Sequence, residues 1–218
     1  MTEFLKETKN LKRLRPFLIA DLNSLIFPCL MWFLSRVLIV VLMLIIAPLL
    51  PTPPGGIQPD FGWGVFWDRD SEHYQSIAFH GYEYVDDGKA HNIAFFPLFP
   101  LLIRILMQFG LTFELSGVLA NNLAFLGALI VLYIWMNENH GNSIAKWTTA
   151  FLAWCPLSLF GTVIYTEGLF LFFSIAALRA FDRQKYLELA FWGILTTATR
   201  PTALIFVPCL LIAAWLVK

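Results

Sequence analysis

Charge is what this sequence has least of. Asp, Glu, Lys and Arg make up 14% of its 218 residues, and fifteen bases balance fifteen acids; a soluble domain carries roughly 25% charged residues. With no basic excess, the chain offers no electrostatic surface for nucleic acid. Cysteine is almost as scarce. Cys29, Cys155 and Cys209 lie far apart in three apolar runs, which excludes a disulfide framework or a zinc-type ligand pair and reads as three buried thiols. No Asn-x-Ser/Thr sequon occurs, which favours a bacterial inner membrane, with the endoplasmic reticulum as the alternative.

Apolar residues fill the space. They form 58% of the chain, 16% being aromatic, and mean hydropathy is +0.68. No water-soluble fold could hide that much apolar surface, so the expectation is an all-α protein of the membrane, a polytopic helical bundle. A span needs about 20 apolar residues. Leu25–Leu50 supplies the first, behind a basic segment 1–24 holding Lys6, Lys9, Lys12, Arg13 and Arg15, which predicts a cytoplasmic N-terminus. Residues 51–114 form a large outward loop, and residues 115–218 five further spans: Leu115–Met136, Trp147–Tyr165, Gly168–Phe181, Leu187–Thr199 and Thr202–Val217. Ala94–Gly110 is apolar but short, with two prolines and Arg104 inside it. Reading it as an interfacial helix puts ten basic residues in the cytoplasm and four outside, Arg36 left aside; reading it as a span destroys that bias.

Six spans bring three polar segments to one face: the loop around Asp70, Tyr165-Thr166-Glu167, and Thr199-Arg200-Pro201. Ionisable groups at membrane depth are costly and mark function by default. Glu167 is the one charge between Lys146 and Arg179, and Arg200 stands alone between Glu188 and Lys218. A lone guanidinium near a helix end suits a phosphate, although snorkelling to headgroups would also place it there. Arg36, deep in the first span, reads as a buried partner for a carbonyl or an acid, or as a snorkelling side chain. In Phe66-Trp67-Asp68-Arg69-Asp70-Ser71-Glu72-His73-Tyr74, three carboxylates fall within five residues among aromatics. Asp70 could cap a helix starting there, or serve as a general base in an aromatic pocket.

These segments resemble the GPI mannosyltransferase II (PIG-V) family and its prokaryotic members. The matching stretches are Asp70-Ser71-Glu72-His73-Tyr74, Gly81-Tyr82, Asn92-Ile93-Ala94-Phe95-Phe96-Pro97-Leu98-Phe99-Pro100, Tyr165-Thr166-Glu167-Gly168-Leu169-Phe170 and Thr199-Arg200-Pro201. The resemblance implies a GT-C fold and a polyprenyl-phosphate sugar, typically mannose, as donor. It implies inverting transfer to a glycan or glycolipid acceptor at the outer or luminal face. Asp70 becomes the base, Glu167 a second site acid and Arg200 the donor-phosphate contact, with Glu72, His73, Tyr74 and Tyr165 around the substrate. Arg69 stands where relatives carry tryptophan, which keeps Asp68 open as an alternative base. No metal ligand is assigned, and a role for a divalent metal stays open. Relatives continue well past the point where this chain stops, so it corresponds to their N-terminal half. Two other readings remain: a truncated non-catalytic relative, and a transporter or scaffold subunit.

Overall fold

The computed structural model describes residues 25–51, 61–67, 70–86 and 91–216. Asp68, the alternative base, residues 52–60 of the loop and the basic segment 1–24 lie outside the described residues. The protein is an all-α membrane protein. Its helices are α1 (Leu25–Leu49), α2 (Ser71–His80), α3 (Leu98–Met107), α4 (Phe113–His140), α5 (Asn142–Trp154), α6 (Glu167–Asp182), α7 (Tyr186–Thr199) and α8 (Phe206–Leu216).

Among the described residues, α1 and α4 are long and apolar enough to cross a membrane. The two are used differently. Only 11% of the most apolar stretch of α1 is buried inside the protein, against 50% of that of α4; α1 leans on the bundle with an apolar surface turned outward, and α4 runs through its centre. Leu30, Phe33, Val37, Leu38 and Val41 of α1 are exposed, an apolar face of the kind a membrane protein turns outward. Cys29 and Cys209 also lie on outward faces rather than inside the core, correcting the expectation of three buried thiols.

α2 and α3 have ten residues each, about 15 Å of helix against a hydrocarbon core of about 30 Å. α3 starts behind Pro97 and buries Phe99, Pro100 and Ile103 against the bundle while Leu101, Ile105 and Phe109 stay exposed. Two motif residues shape the approach to it. Gly81 ends α2 at a φ of 87°, a backbone angle that side chains resist. Asn92 then ties the returning chain down, donating to Ser76 Oγ and Gly81 O and accepting from the Glu83 N–H.

The expected span Trp147–Tyr165 is α-helical only to Trp154. Pro156 cannot continue the ladder and holds Cys155 extended at ψ 135°. A 3-10 turn, Pro156–Gly161, and a non-helical stretch to Tyr165 follow. Likewise Thr202–Val217 begins as a 3-10 segment, Pro201–Ile205, before α8. Broken backbone needs partners, and side chains from α1 and α4 supply them. Arg36, 4% exposed, donates to Ser158 O at 2.7 Å, Thr162 Oγ1 at 2.8 Å, Ser158 Oγ at 2.8 Å and Ala153 O at 3.2 Å. Its guanidinium lies 4.5 Å over the Phe125 ring. A cation is thus set at the C-terminal end of α5, where unpaired carbonyls gather. Of the roles open to Arg36, it takes the buried carbonyl partner.

At the other end of α6, Glu138 of α4 accepts from Arg179 and Arg183, and Asp182 accepts from Trp135 Nε1 and Asn139. A tight turn through Gln184 then starts α7 antiparallel to α6. Glu167 and Arg200 therefore return to one end, with Arg179, Arg183 and Lys185 at the opposite one.

Candidate active site

Two adjacent asparagines in the apolar run of α4 build the floor of the site. Asn121 Nδ2 donates to Phe160 O and Val163 O, both at 2.7 Å, and its Oδ1 accepts from Gly168 N at 2.7 Å. Asn122 Nδ2 donates to Thr162 O at 3.2 Å. One helix thereby holds the non-helical segment before α6 and the first turn of α6 itself. Gly168 permits this approach: a Cβ there would fall 2.2 Å from the Asn121 carbonyl oxygen.

The outward loop docks on the same segment. Ile164 N donates to Phe66 O at 3.0 Å, and Ile164 O accepts from Ser71 Oγ at 3.2 Å. Both backbone groups of one residue are held by the two sides of Asp70. With Phe66, Phe99, Ile103 and Ile164 fully buried around this junction, the loop is fixed against the bundle, and Asp70 arrives beside Tyr165.

Tyr165 joins the polar groups. Its hydroxyl donates to Asp70 Oδ2 at 2.5 Å. The Arg200 guanidinium lies 5.8 Å from its ring centre and 6.0 Å from that of Phe170, within cation–π range. Arg200 also donates to Glu167 Oε1, forming an ion pair in which the two side chains are 30% and 22% exposed. The chain of contacts runs Asp70, Tyr165, Arg200, Glu167. One alternative closes here and one expectation is corrected. Asp70 precedes α2 but makes no side-chain cap; its backbone is already helical there, and the carboxylate turns to Tyr165 instead. Arg200, isolated in sequence, is not a lone cation: antiparallel packing of α6 and α7 delivers Glu167 to it.

Tyr74 is buried, edge-on to Tyr165 at 6.5 Å, Phe95 at 5.3 Å and Phe99 at 5.1 Å. Burial pushes its phenol up to about 12; the neighbouring Thr166 hydroxyl and the Arg200 charge pull down, and the Asp70 and Glu167 charges add to the rise. Tyr74 therefore stays protonated at neutral pH, which leaves carboxylates to accept protons. His73 stacks on Phe95 at 4.4 Å. Glu72 is exposed in the first turn of α2, where a negative charge suits the helix dipole; no hydrogen bond or ion pair joins Glu72 or His73 to the Asp70–Arg200 chain among the described residues. Nor do three or more of His, Cys, Asp and Glu gather as a cation cluster there. The site residues that sequence reasoning missed are Asn121 and Asn122, although two amides inside a run otherwise fit for lipid are a signal of their own.

The arrangement offers a proton acceptor in an aromatic wall, a cation over the ring of the tyrosine that bonds that acceptor, and a second acid that holds the cation. The family model described as Mannosyltransferase (PIG-V) matches residues 58–214, a span that takes in every residue of this site. No curated protein and no solved structure matches the chain.

Proposed function

Because the chain belongs to the mannosyltransferase (PIG-V) family, we propose that it moves a mannosyl group from a polyprenyl-phosphate donor to an acceptor hydroxyl at the outer face of its membrane. The observation that carries this reading is the linked set Asp70, Tyr165, Arg200 and Glu167 at one end of the bundle. A lipid phosphate is already a good leaving group, so no general acid is required. The acceptor oxygen attacks the anomeric carbon as its proton passes to Asp70, and the bond from that carbon to the phosphate oxygen breaks on the opposite side. The sugar inverts, and polyprenyl phosphate departs carrying the bonding electrons. Arg200 holds the phosphate charge as it grows. One of its five N–H groups is spent on Glu167, which orients the guanidinium and balances it when no phosphate is bound.

Arg200→Ala is expected to raise the donor KM well above any change in the acceptor KM, and Arg200→Lys to restore it only in part, since an ammonium cannot reproduce the bidentate fork. Unchanged donor KM and turnover in Arg200→Ala would remove the phosphate role.

The same reading makes the protein a GT-C-type, multi-pass protein with α2 and α3 lying at the outer surface. Its support is the short length of α3 and the separation of the site from the Arg179–Lys185 end, which the positive-inside rule assigns to the cytoplasm. In a chain whose native cysteines are replaced by serine, Asp86→Cys should react with an impermeant thiol reagent added from outside, and Gln184→Cys should not. The opposite pattern would invert the topology.

A further inference from the structure

An apolar groove of about 450 Å³ opens between α6, α7 and α8, a volume within the about 300–1,000 Å³ of ordinary ligand sites. Its walls include Ala177, Ala190, Gly193, Ile194, Phe206 and Leu210. Two threonines also border it, yet add almost no polarity. Thr196 Oγ1 donates to Trp192 O at 2.7 Å and Thr197 Oγ1 to Ile194 O at 2.9 Å, so their own helix takes up the hydroxyls and the methyls are left for the groove. Gly193 keeps the middle open: a Cβ there would meet nothing within 4 Å.

One end of the groove reaches the active site. Phe206 packs edge-on against Phe170 at 6.2 Å, and Phe170 is one of the two rings beneath Arg200. Thr197 stands three residues before Arg200, the extended residue that follows the end of α7. The other end, at Phe181 and Tyr186, is eleven residues farther along α7, about 16 Å away. A cation thus heads an apolar trough that runs down through the bilayer zone. That pairing suits an amphiphile with an anionic head and a branched, flexible, wholly apolar tail.

We infer that the groove between α6, α7 and α8 receives the first isoprene units of the donor's polyprenyl tail and so places its phosphate beside Arg200. This inference rests on the polyprenyl-phosphate reading above. Gly193 is its specificity-determining residue, because its missing side chain is the space the tail occupies.

The test is Gly193→Leu, which fills the groove at a position with open space and replaces glycine by a better helix former. Gly193→Ala, which adds a single methyl, is the graded step, and Ala190→Leu an independent block on the same wall. The probe is a geranylgeranyl phosphate with a photoreactive group on its tail, used on the full chain in nanodiscs. Labelling should map to α7 and α8 in the wild type and need only slightly more probe in Gly193→Ala. It should need about tenfold more probe in either leucine variant, since excluding even two methylenes from burial is worth about that much. Donor KM should rise alongside for a long-tailed mannosyl phosphate and stay level for one carrying a single isoprene unit, too short to reach Gly193, which lies seven residues before Arg200 and about 10 Å from it. Labelling that ignores both leucine variants overturns the assignment. So does equal, Gly193-dependent labelling by a photoreactive phosphatidylglycerol, which would make the groove a general lipid crease. Gly193-dependent tail labelling without any sugar transfer supports the groove and counts against the donor reading instead.

Discussion

Asp70→Asn is expected to abolish transfer while the protein still inserts and keeps its thermal stability. The structural cost of the change is small because the Asp70 side chain caps no helix. Its one described partner is the Tyr165 hydroxyl, from which an amide oxygen accepts as well. What the amide cannot do is take the acceptor's proton, and general-base catalysis is typically worth about 10²–10⁴-fold. Tyr74, its phenol raised to about 12, cannot take over that proton at neutral pH. Asp68→Asn is the control and should retain most activity. Collapse in Asp68→Asn with full turnover in Asp70→Asn would move the base two residues upstream. Full turnover in both would take the loop out of the mechanism.

Gly168→Ala carries the second large effect, and its sign runs against intuition. Glycine inside a helix usually costs about 1 kcal/mol relative to alanine, so the change should ordinarily stabilise α6. Here the new methyl would sit 2.2 Å from the Asn121 carbonyl oxygen and 2.5 Å from its Oδ1. Backbone, not a mobile side chain, has to give way. Overpacking of this kind costs about 1–3 kcal/mol, and the Asn121–Gly168 hydrogen bond goes with it. Glu167, the preceding residue, then shifts against Arg200, and a displacement of about 1 Å near chemistry can cost 10²-fold. Lower melting temperature and lower transfer should appear together in Gly168→Ala. Gly193→Ala, with open space at its Cβ, should leave the melting temperature unchanged. Wild-type behaviour in Gly168→Ala would mean that α4 does not grip α6 at this point.

Much of this is legible in the sequence, and the reasons for the rest are physical. Hydropathy marks α1, α4, α6 and α7 because lipid demands apolar surface over a known length. It cannot mark which face of each helix packs inward, since lipid and core are equally apolar. That is why the role of Arg36 was open until the carbonyls of Ala153 and Ser158 were seen beneath it. The break at Pro156 was readable from the proline itself, yet the apolar run around it hid the signal. Asp70, Tyr165, Glu167 and Arg200 stand out as unusual residues for their surroundings. Their pairing does not, because it depends on α6 and α7 turning back at Gln184 and on the loop docking at Ile164. Read singly, Arg200 is a lone cation; folded, it has an acid partner, and its resting contact becomes part of the chemistry.

The central claim is that this site draws mannose from a lipid phosphate. The most direct measurement adds either polyprenyl-phosphate mannose or a nucleotide-linked mannose to membranes carrying the protein, with the sugar radiolabelled, and follows label into acceptor glycolipid. Transfer should occur from the lipid phosphate, vanish in Asp70→Asn, and not occur from the nucleotide donor. Transfer from the nucleotide donor in the absence of any lipid-linked mannose, at a rate equal to or above that from the lipid phosphate, would contradict the account.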